Sequence, residues 1–577
     1  MKPTVLIACA AFVACLLLIE PLVASWPAEG APQAPSLQAS AVPPAPPPPA
    51  SGPLTTAEAT GYAATSTYAE VLTFIRDLQK LSPLVRVETM ATSTEGYAIP
   101  LLVIGNPLPQ VPLSLRHDKR IVVYLQANIH AGEVEGKEAT LMLARDIVLD
   151  PKLPYLDRIV LIIAPIFNAD GNDKIDTRNR PGQAGPEKGS GVRHNGQNLD
   201  LNRDAMKLES PEMRGFVRNV LMRWDPLLSV DCHTTDGSFH QEPVTYSWPL
   251  CPNGDPTALK YVRDKMLPAV DAALEEKYGT LSIPYGDPID SRDMEKGWRT
   301  FDHQPRYMTN YIGLRNRLAI LDENYNYADF RTRVHGSYHL LKSLLDYCSA
   351  NAAELQRLVA DADARTVQAG LAPAETDRFG LDIDAQPLPG KISILGYEME
   401  VPPPPAEGVP GQFPRMRPTG RKKTYVVPYY ADFVAKRSVR LPYAYLIRLA
   451  GTEVPEKLLQ HGIVVERLTE PATLETEAFR VLEIKGSERL YQGHRPNTVK
   501  GEYTLEKREF PEGTFLVRTA QPLGRLAAYL LEPESDDGLL VWNYFDRDIV
   551  SQWGRRPQMF PVYKLYTPQN LAAAGVD

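Results

Sequence analysis

Four short apolar runs stand out along the chain: Ile121–Ile129, Ile159–Phe167, Leu227–Val230 and Leu318–Leu321. They are rich in β-branched residues and nearly free of charge, the pattern of strands covered on both faces. Segments with helical spacing alternate with them. An amphipathic helix is expected around Tyr68–Gln79, a second over Ala139–Val148 and a last one over Val334–Tyr347. Strand and helix in alternation predict an α/β fold over residues 55–350, a mixed, mostly parallel sheet flanked by helices.

The pattern changes after residue 350. Ala352–Ala369 reads as a polar, alanine-rich helix within a helical and linker segment, 351–389. The stretch Pro402–Pro405 and the basic, proline-rich Phe413–Lys423 follow. Beyond them the runs are short and β-like: Thr424–Tyr430, Leu441–Leu449, Arg480–Ile484 and Thr514–Thr519. They predict a smaller, β-rich accessory domain over 390–577. A chain of 577 residues exceeds what one core usually holds, which agrees with two folded domains.

The N-terminus has a different pattern again. Met1-Lys2 precedes the apolar run Val5–Leu18, and Pro21–Ser25 supplies small residues suited to cleavage. Residues 1–25 therefore read as a secretory signal, with an uncleaved anchor as the alternative. Residues 26–54 are rich in Pro and Ala and read as a linker. The expectation is a secreted, periplasmic or cell-envelope protein with no membrane span in its mature form. Cys232, Cys251 and Cys348 remain beyond the signal, so at most one internal disulfide is possible. A net charge of -8, spread along the chain, gives no footprint for nucleic acid or an anionic membrane.

Chemistry gathers where the apolar runs end. Ile121–Ile129 ends in His130-Ala-Gly-Glu133, and Ile159–Phe167 in Asn168-Ala-Asp-Gly171. Leu227–Val230 ends in Asp231-Cys-His233-Thr234, and Leu318–Leu321 in Asp322-Glu323-Asn324. Asn198-Leu-Asp200-Leu-Asn202-Arg203 lies between the second and third runs. In open α/β sheets, sites form beyond the carboxyl ends of the strands. His130 and Glu133 on one turn can offer a ring nitrogen and a carboxylate oxygen to one metal ion.

These motifs, in this order, resemble the zinc carboxypeptidases of the carboxypeptidase A type, the funnelins. The family pattern is His-x-x-Glu, Asn-Pro-Asp-Gly, Asp-x-Asn-Arg, a later histidine after a strand, and a glutamate near the domain's end. Here Ala169 replaces the proline of the second motif. The resemblance spans about Thr55–Ser349 and implies one zinc ion per chain, held by His130, Glu133 and His233. It implies that Asp200 orients the first histidine, that Glu323 is the general base with Asp322 as its rival, and that Asn202 and Arg203 bind a peptide's terminal carboxylate. A second arginine should steady the oxyanion. Arg178, Arg180 and Arg193 are the candidates, and Arg193 is preferred. Tyr307 and Tyr311 compete for the family's substrate-binding tyrosine. His240, His303 and His335 are expected to be structural or solvated.

The expected function is a zinc metallocarboxypeptidase acting on a peptide or peptide-like substrate with a free terminal carboxylate. Two alternatives remain open at this level. One is a cell-wall peptide amidase or carboxypeptidase, or an acyl-amino-acid deacylase, of the same fold. The other is a binding protein that keeps zinc with little turnover.

Overall fold

A computed structural model describes residues 52–115, 118–150, 152–235, 238–400, 417–449, 451–549 and 558–576. The signal read over 1–25 and most of the linker lie outside them. Its main sheet has eight strands: β1 (Val85–Thr92), β2 (Ala98–Ile104), β3 (Ile121–Ala127), β4 (Ile159–Ala164), β5 (Leu228–Thr234), β6 (Val244–Ser247), β7 (Ser282–Pro284) and β8 (Leu318–Asn324). Their order is β1-β2-β4-β3-β5-β8-β6-β7. The four central strands β4, β3, β5 and β8 run parallel, and β1, β2 and β6 add antiparallel pairings.

The strand boundaries carry the function. β3 and β4 are buried at every position, in keeping with their uninterrupted apolar sequences. The apolar run of β3 continues to Ile129, but ladder pairing stops at Ala127. Asn128 adopts φ 64°, a left-handed conformation that asparagine tolerates better than branched residues, and the chain turns there. β5 and β8 behave in the opposite way. Their pairing runs past the apolar stretch into polar sequence, from Leu318 opposite Leu228 to Asn324 opposite Thr234. The register sets Glu323 beside His233.

Helix α1 (Tyr68–Leu81) opens with a capping box in which Thr67 and Glu70 satisfy each other's backbone donors. Helix α2 (Glu135–Leu149) follows the His130 turn and buries all its residues except Asp146 and Leu149. It lies so close to the sheet that a Cβ on Gly136 would stand 2.4 Å from Cys232 Cβ and 3.2 Å from Ala127 Cβ. Helix α3 (Phe330–Leu371) joins the two helices expected from sequence into one element, interrupted only by the non-helical Asn351. It crosses residue 350.

The C-terminal part is β-rich. Arg378–Pro387 and Tyr429–Arg440 form a four-stranded sheet with Asp287–Asp290 and Asp293–Arg299 from the first part. A seven-stranded sheet carries at its edge the long hairpin β9 (Ala472–Gly486) and β10 (Asn497–Phe510). All described residues fall within one compact unit, 37–577. Cys232, Cys251 and Cys348 are buried free thiols. Among the described residues, no helix is long and apolar enough to cross a membrane.

Candidate active site

The carboxyl ends of β3, β5 and β8 open onto one cleft. His130, Glu133, His233 and Glu323 line it, with Arg180, Arg193, Asn202 and Arg203. Three threonines, Thr234, Thr235 and Thr309, complete the lining with Tyr285, Phe301, Tyr307 and Leu321.

His130, Glu133 and His233 are buried, and their ligand atoms lie within 4.8 Å of one another. Nδ1 of His130 is 3.1 Å from both Glu133 carboxylate oxygens, and Nδ1 of His233 is 2.8 Å from Oε2. The opposite nitrogen of each ring meets an aspartate. His130 Nε2 is 2.9 Å from Asp200 Oδ1, and His233 Nε2 is 2.8 Å from Asp231 Oδ2. Such carboxylates hold the Nε2 protons, which turns both Nδ1 lone pairs toward Glu133. Acceptor would then face acceptor unless a proton or a cation lies between them.

The electrostatics state the same demand. Burial alone would lower His233's proton affinity, but Asp231 and Glu133 outweigh it and raise the imidazole well above its ordinary value. Burial would raise the Glu133 carboxyl, yet His130 and Arg180 hold it well below the usual carboxylate range. Asp200 is likewise held low against its burial by His130, Arg203 and Arg193. Glu133 and Asp200 therefore stay ionised, and the three donor groups call for a positive charge between them. Two imidazole nitrogens and a carboxylate with a second layer of aspartates fit a catalytic zinc, which takes three protein ligands and leaves one position open.

Asp200 caps the short turn Leu201–Arg203, its Oδ1 accepting the Asn202 N–H at 3.0 Å. The adjacent Asn202 Oδ1 accepts the Met308 N–H at 2.8 Å, which ties this turn to the segment that carries Tyr307. The Arg203 guanidinium lies over the Tyr307 ring, 4.2 Å from its centroid, and Nη1 donates to the Asn202 carbonyl at 2.7 Å.

The structure separates the residues that competed in sequence. Tyr307 lines the cleft. Tyr311 is fully buried, its hydroxyl 2.7 Å from His461 Nδ1, and is not among the residues lining the cleft. Asp322 points to the other face of β8, where Ser337 Oγ of α3 donates to it at 2.7 Å, and burial pushes its carboxyl up to about 7. Glu323 faces the cleft. Arg178 is exposed and paired with Asp176. Arg180 donates to Glu133 Oε1 at 2.9 Å, and Arg193 reaches Asp200 at 2.9 Å and Glu133 at 3.5 Å. His303 bonds Asp536, His335 bonds the Tyr62 hydroxyl, and His240 is buried against Tyr325.

Residues 71–236 match the family model for zinc carboxypeptidases, peptidase M14. The chain carries a zinc carboxypeptidase domain. It is thereby a hydrolase of the metallocarboxypeptidase type. The zinc carboxypeptidase model covers β1 to β5, including His130, Glu133 and His233, and ends before Glu323. Carboxypeptidase 2 of Trichophyton tonsurans is 22% identical over 465 residues, 77% of this chain and 77% of the relative. Carboxypeptidase 2 of Trichophyton rubrum is 21% identical over 472 residues, 78% of this chain and 77% of the relative. Among solved structures, a metallo-carboxypeptidase from Burkholderia cenocepacia superposes with a TM-score of 0.38 at 17% identity, covering 49% of this chain and 70% of that one.

Sequence reading left several of the cleft residues unassigned. Asp231 was visible next to His233 but had no family counterpart to give it a role. Arg180 sat in a loop with three arginines, and only the fold shows which of them reach Glu133. Tyr285, Phe301, Thr309 and Leu321 belong to no motif; they come from β8, the loop after β7 and the segments on either side of Tyr307.

Proposed function

We propose that this domain removes residues from the free carboxyl end of peptides, with one zinc held by His130, Glu133 and His233 and with Glu323 as the general base. The observation that carries the reading is convergence. Three metal donors, a carboxylate on the next strand and the Asn202–Arg203 pair line one cleft. Zinc bound there supplies Lewis acidity to a water molecule and to the scissile carbonyl. Glu323, one strand over from His233, accepts the proton of the attacking water and returns it to the leaving amine. Arg203, its guanidinium set on the Tyr307 ring, receives the terminal carboxylate in a planar fork. Arg193, which lines the cleft, is our candidate to steady the carbonyl oxygen, and Arg180 keeps Glu133 in place. Among the described residues, Tyr285, Phe301, Tyr307 and Leu321 give one wall of the cleft an aromatic and apolar character, which favours an apolar terminal residue. Export remains part of the proposal, supported by the sequence of residues 1–25.

The test compares peptides with free and amidated C-termini. A charge-assisted bidentate contact contributes about 1.5–3 kcal/mol, so amidation should lower kcat/KM by about ten- to a hundredfold. Arg203→Lys should lose most of that discrimination, and a zinc chelator should abolish turnover of both forms. Equal turnover of acid and amide by the wild type would rule out carboxylate recognition.

A further inference from the structure

The hairpin β9–β10 reaches back to the zinc carboxypeptidase domain through the loop Ser487–Pro496. At its tip, Tyr491–His494 is a two-residue hairpin turn. Tyr491 and His494 exchange backbone hydrogen bonds of 2.8 and 3.0 Å. Gln492 and Gly493 both adopt positive φ, 51° and 80°. Turns of this kind select Asn, Asp or Gly at the first position, because a longer side chain is strained there. Here the position holds glutamine, and its side chain is engaged. Gln492 Oε1 accepts the backbone N–H of Asp200 at 3.0 Å. Asn at the same place would ease the turn but fall one carbon short.

Asp200 is where two functions of the site meet. Its side chain holds His130, and its backbone begins the turn that carries Asn202 and Arg203. The grip on this segment is repeated nearby. His494 Nε2 is 2.8 Å from Glu209 Oε1, and the Tyr544 hydroxyl donates to the same oxygen at 3.0 Å. A second active-site segment is held from the same region. Asp537 Oδ2 accepts the Arg306 N–H at 2.6 Å, immediately before Tyr307, and the Arg306 guanidinium lies over the Tyr491 and Trp542 rings.

We propose that the Tyr491–His494 turn of the C-terminal β-rich region is a working part of the active site, and that Gln492 is a positioning residue that fixes the Asp200–Arg203 turn. The glutamine fits the turn poorly, but its length is what the contact to Asp200 needs. The C-terminal region thus sets the aim of the carboxylate-reading guanidinium and the seat of His130. This inference rests on the roles given above to His130 and Arg203.

The full-length protein carrying Gln492→Gly and, separately, Gln492→Asn tests it. Both substitutions remove the contact but relieve the backbone strain, and the second effect offsets the first, so the thermal midpoint should stay near that of the wild type. Two readouts should move nonetheless. Zinc should pass to a competing chelator about five- to tenfold faster, the scale of one net hydrogen bond. The preference for free-acid over amidated peptide should fall by a similar factor. A purely structural role would lower the thermal midpoint and leave the preference untouched, and that result would overturn the proposal. Wild-type rates of zinc release and wild-type discrimination in both variants would overturn it as well. A wild-type protein that holds no zinc or cleaves no peptide would instead remove the functional reading, and this inference with it.

Discussion

Glu323 and Asp322 are neighbours in sequence, and the pleat of β8 sends them to opposite faces. Asp322 meets Ser337 and Asn324 beneath the sheet, and Glu323 meets the cleft above it. Glu323→Gln keeps the shape and removes the base. It should cost about 10²–10⁴ in kcat with zinc content unchanged. Asp322→Asn should instead act on stability, since it alters the buried bonds from Ser337 and Asn324, and should leave kcat within a few-fold. Steady-state kinetics with metal analysis on both variants separates the two. Normal turnover by Glu323→Gln would remove it from the chemistry. At this scale the sequence was informative about residue type and silent about direction. A carboxylate pair after an apolar run is legible, but which member faces the substrate depends on the register of β8 against β5.

Helix α2 and the turn before it are held to the sheet by close packing at Gly136. An alanine there gains about 0.5–1 kcal/mol of helix propensity. Its Cβ would stand 2.4 Å from Cys232 Cβ, an atom fixed in place by the backbone of a central strand. Overpacking of this kind costs about 1–3 kcal/mol, so the clash should win. Gly136→Ala is expected to lower the unfolding free energy by about 1–2 kcal/mol. It should also weaken zinc binding, because Glu133 lies two residues before the helix and His233 follows Cys232. Denaturant unfolding and zinc titration check both parts, and an unchanged or raised stability would show that the helix can shift freely. The helix itself was legible from its spacing. Its contact with β5 was not, because a glycine in a helical pattern does not reveal which distant strand it approaches.

At the scale of the whole molecule, the β-rich region is tied to the segment after Arg203 through a titratable contact. Glu209 raises the proton affinity of His494 above the ordinary imidazole value, and burial opposes this. Burial would raise the Glu209 carboxyl, but His494 and Lys207 hold it below its usual value. A raised histidine adds stability that is fully present below its unfolded value of about 6.5 and fades as pH rises through the folded value. A depressed carboxyl adds stability that is present above its unfolded value of about 4.3 and is lost on further acidification. The pair therefore contributes most between about pH 4.3 and 6.5. Thermal melts of wild type and His494→Gln should differ more at pH 5.5 than at pH 8.5. An equal difference at both would mean that the contact carries no charge.

The strand-ending motifs, their order and the α/β alternation were determined by sequence, because each is written in residues adjacent along the chain. So was the β-rich character of the C-terminal part. Tertiary structure decided what adjacency cannot encode. It brought His130 and His233, one hundred and three positions apart, to a single carboxylate. It chose Tyr307 over Tyr311 for the cleft by burying Tyr311 against His461, a residue of the C-terminal region. It also set Gln492 on Asp200 across 292 positions. Strand order and register fix which distant side chains meet, and these follow from how whole elements pack, not from any local pattern.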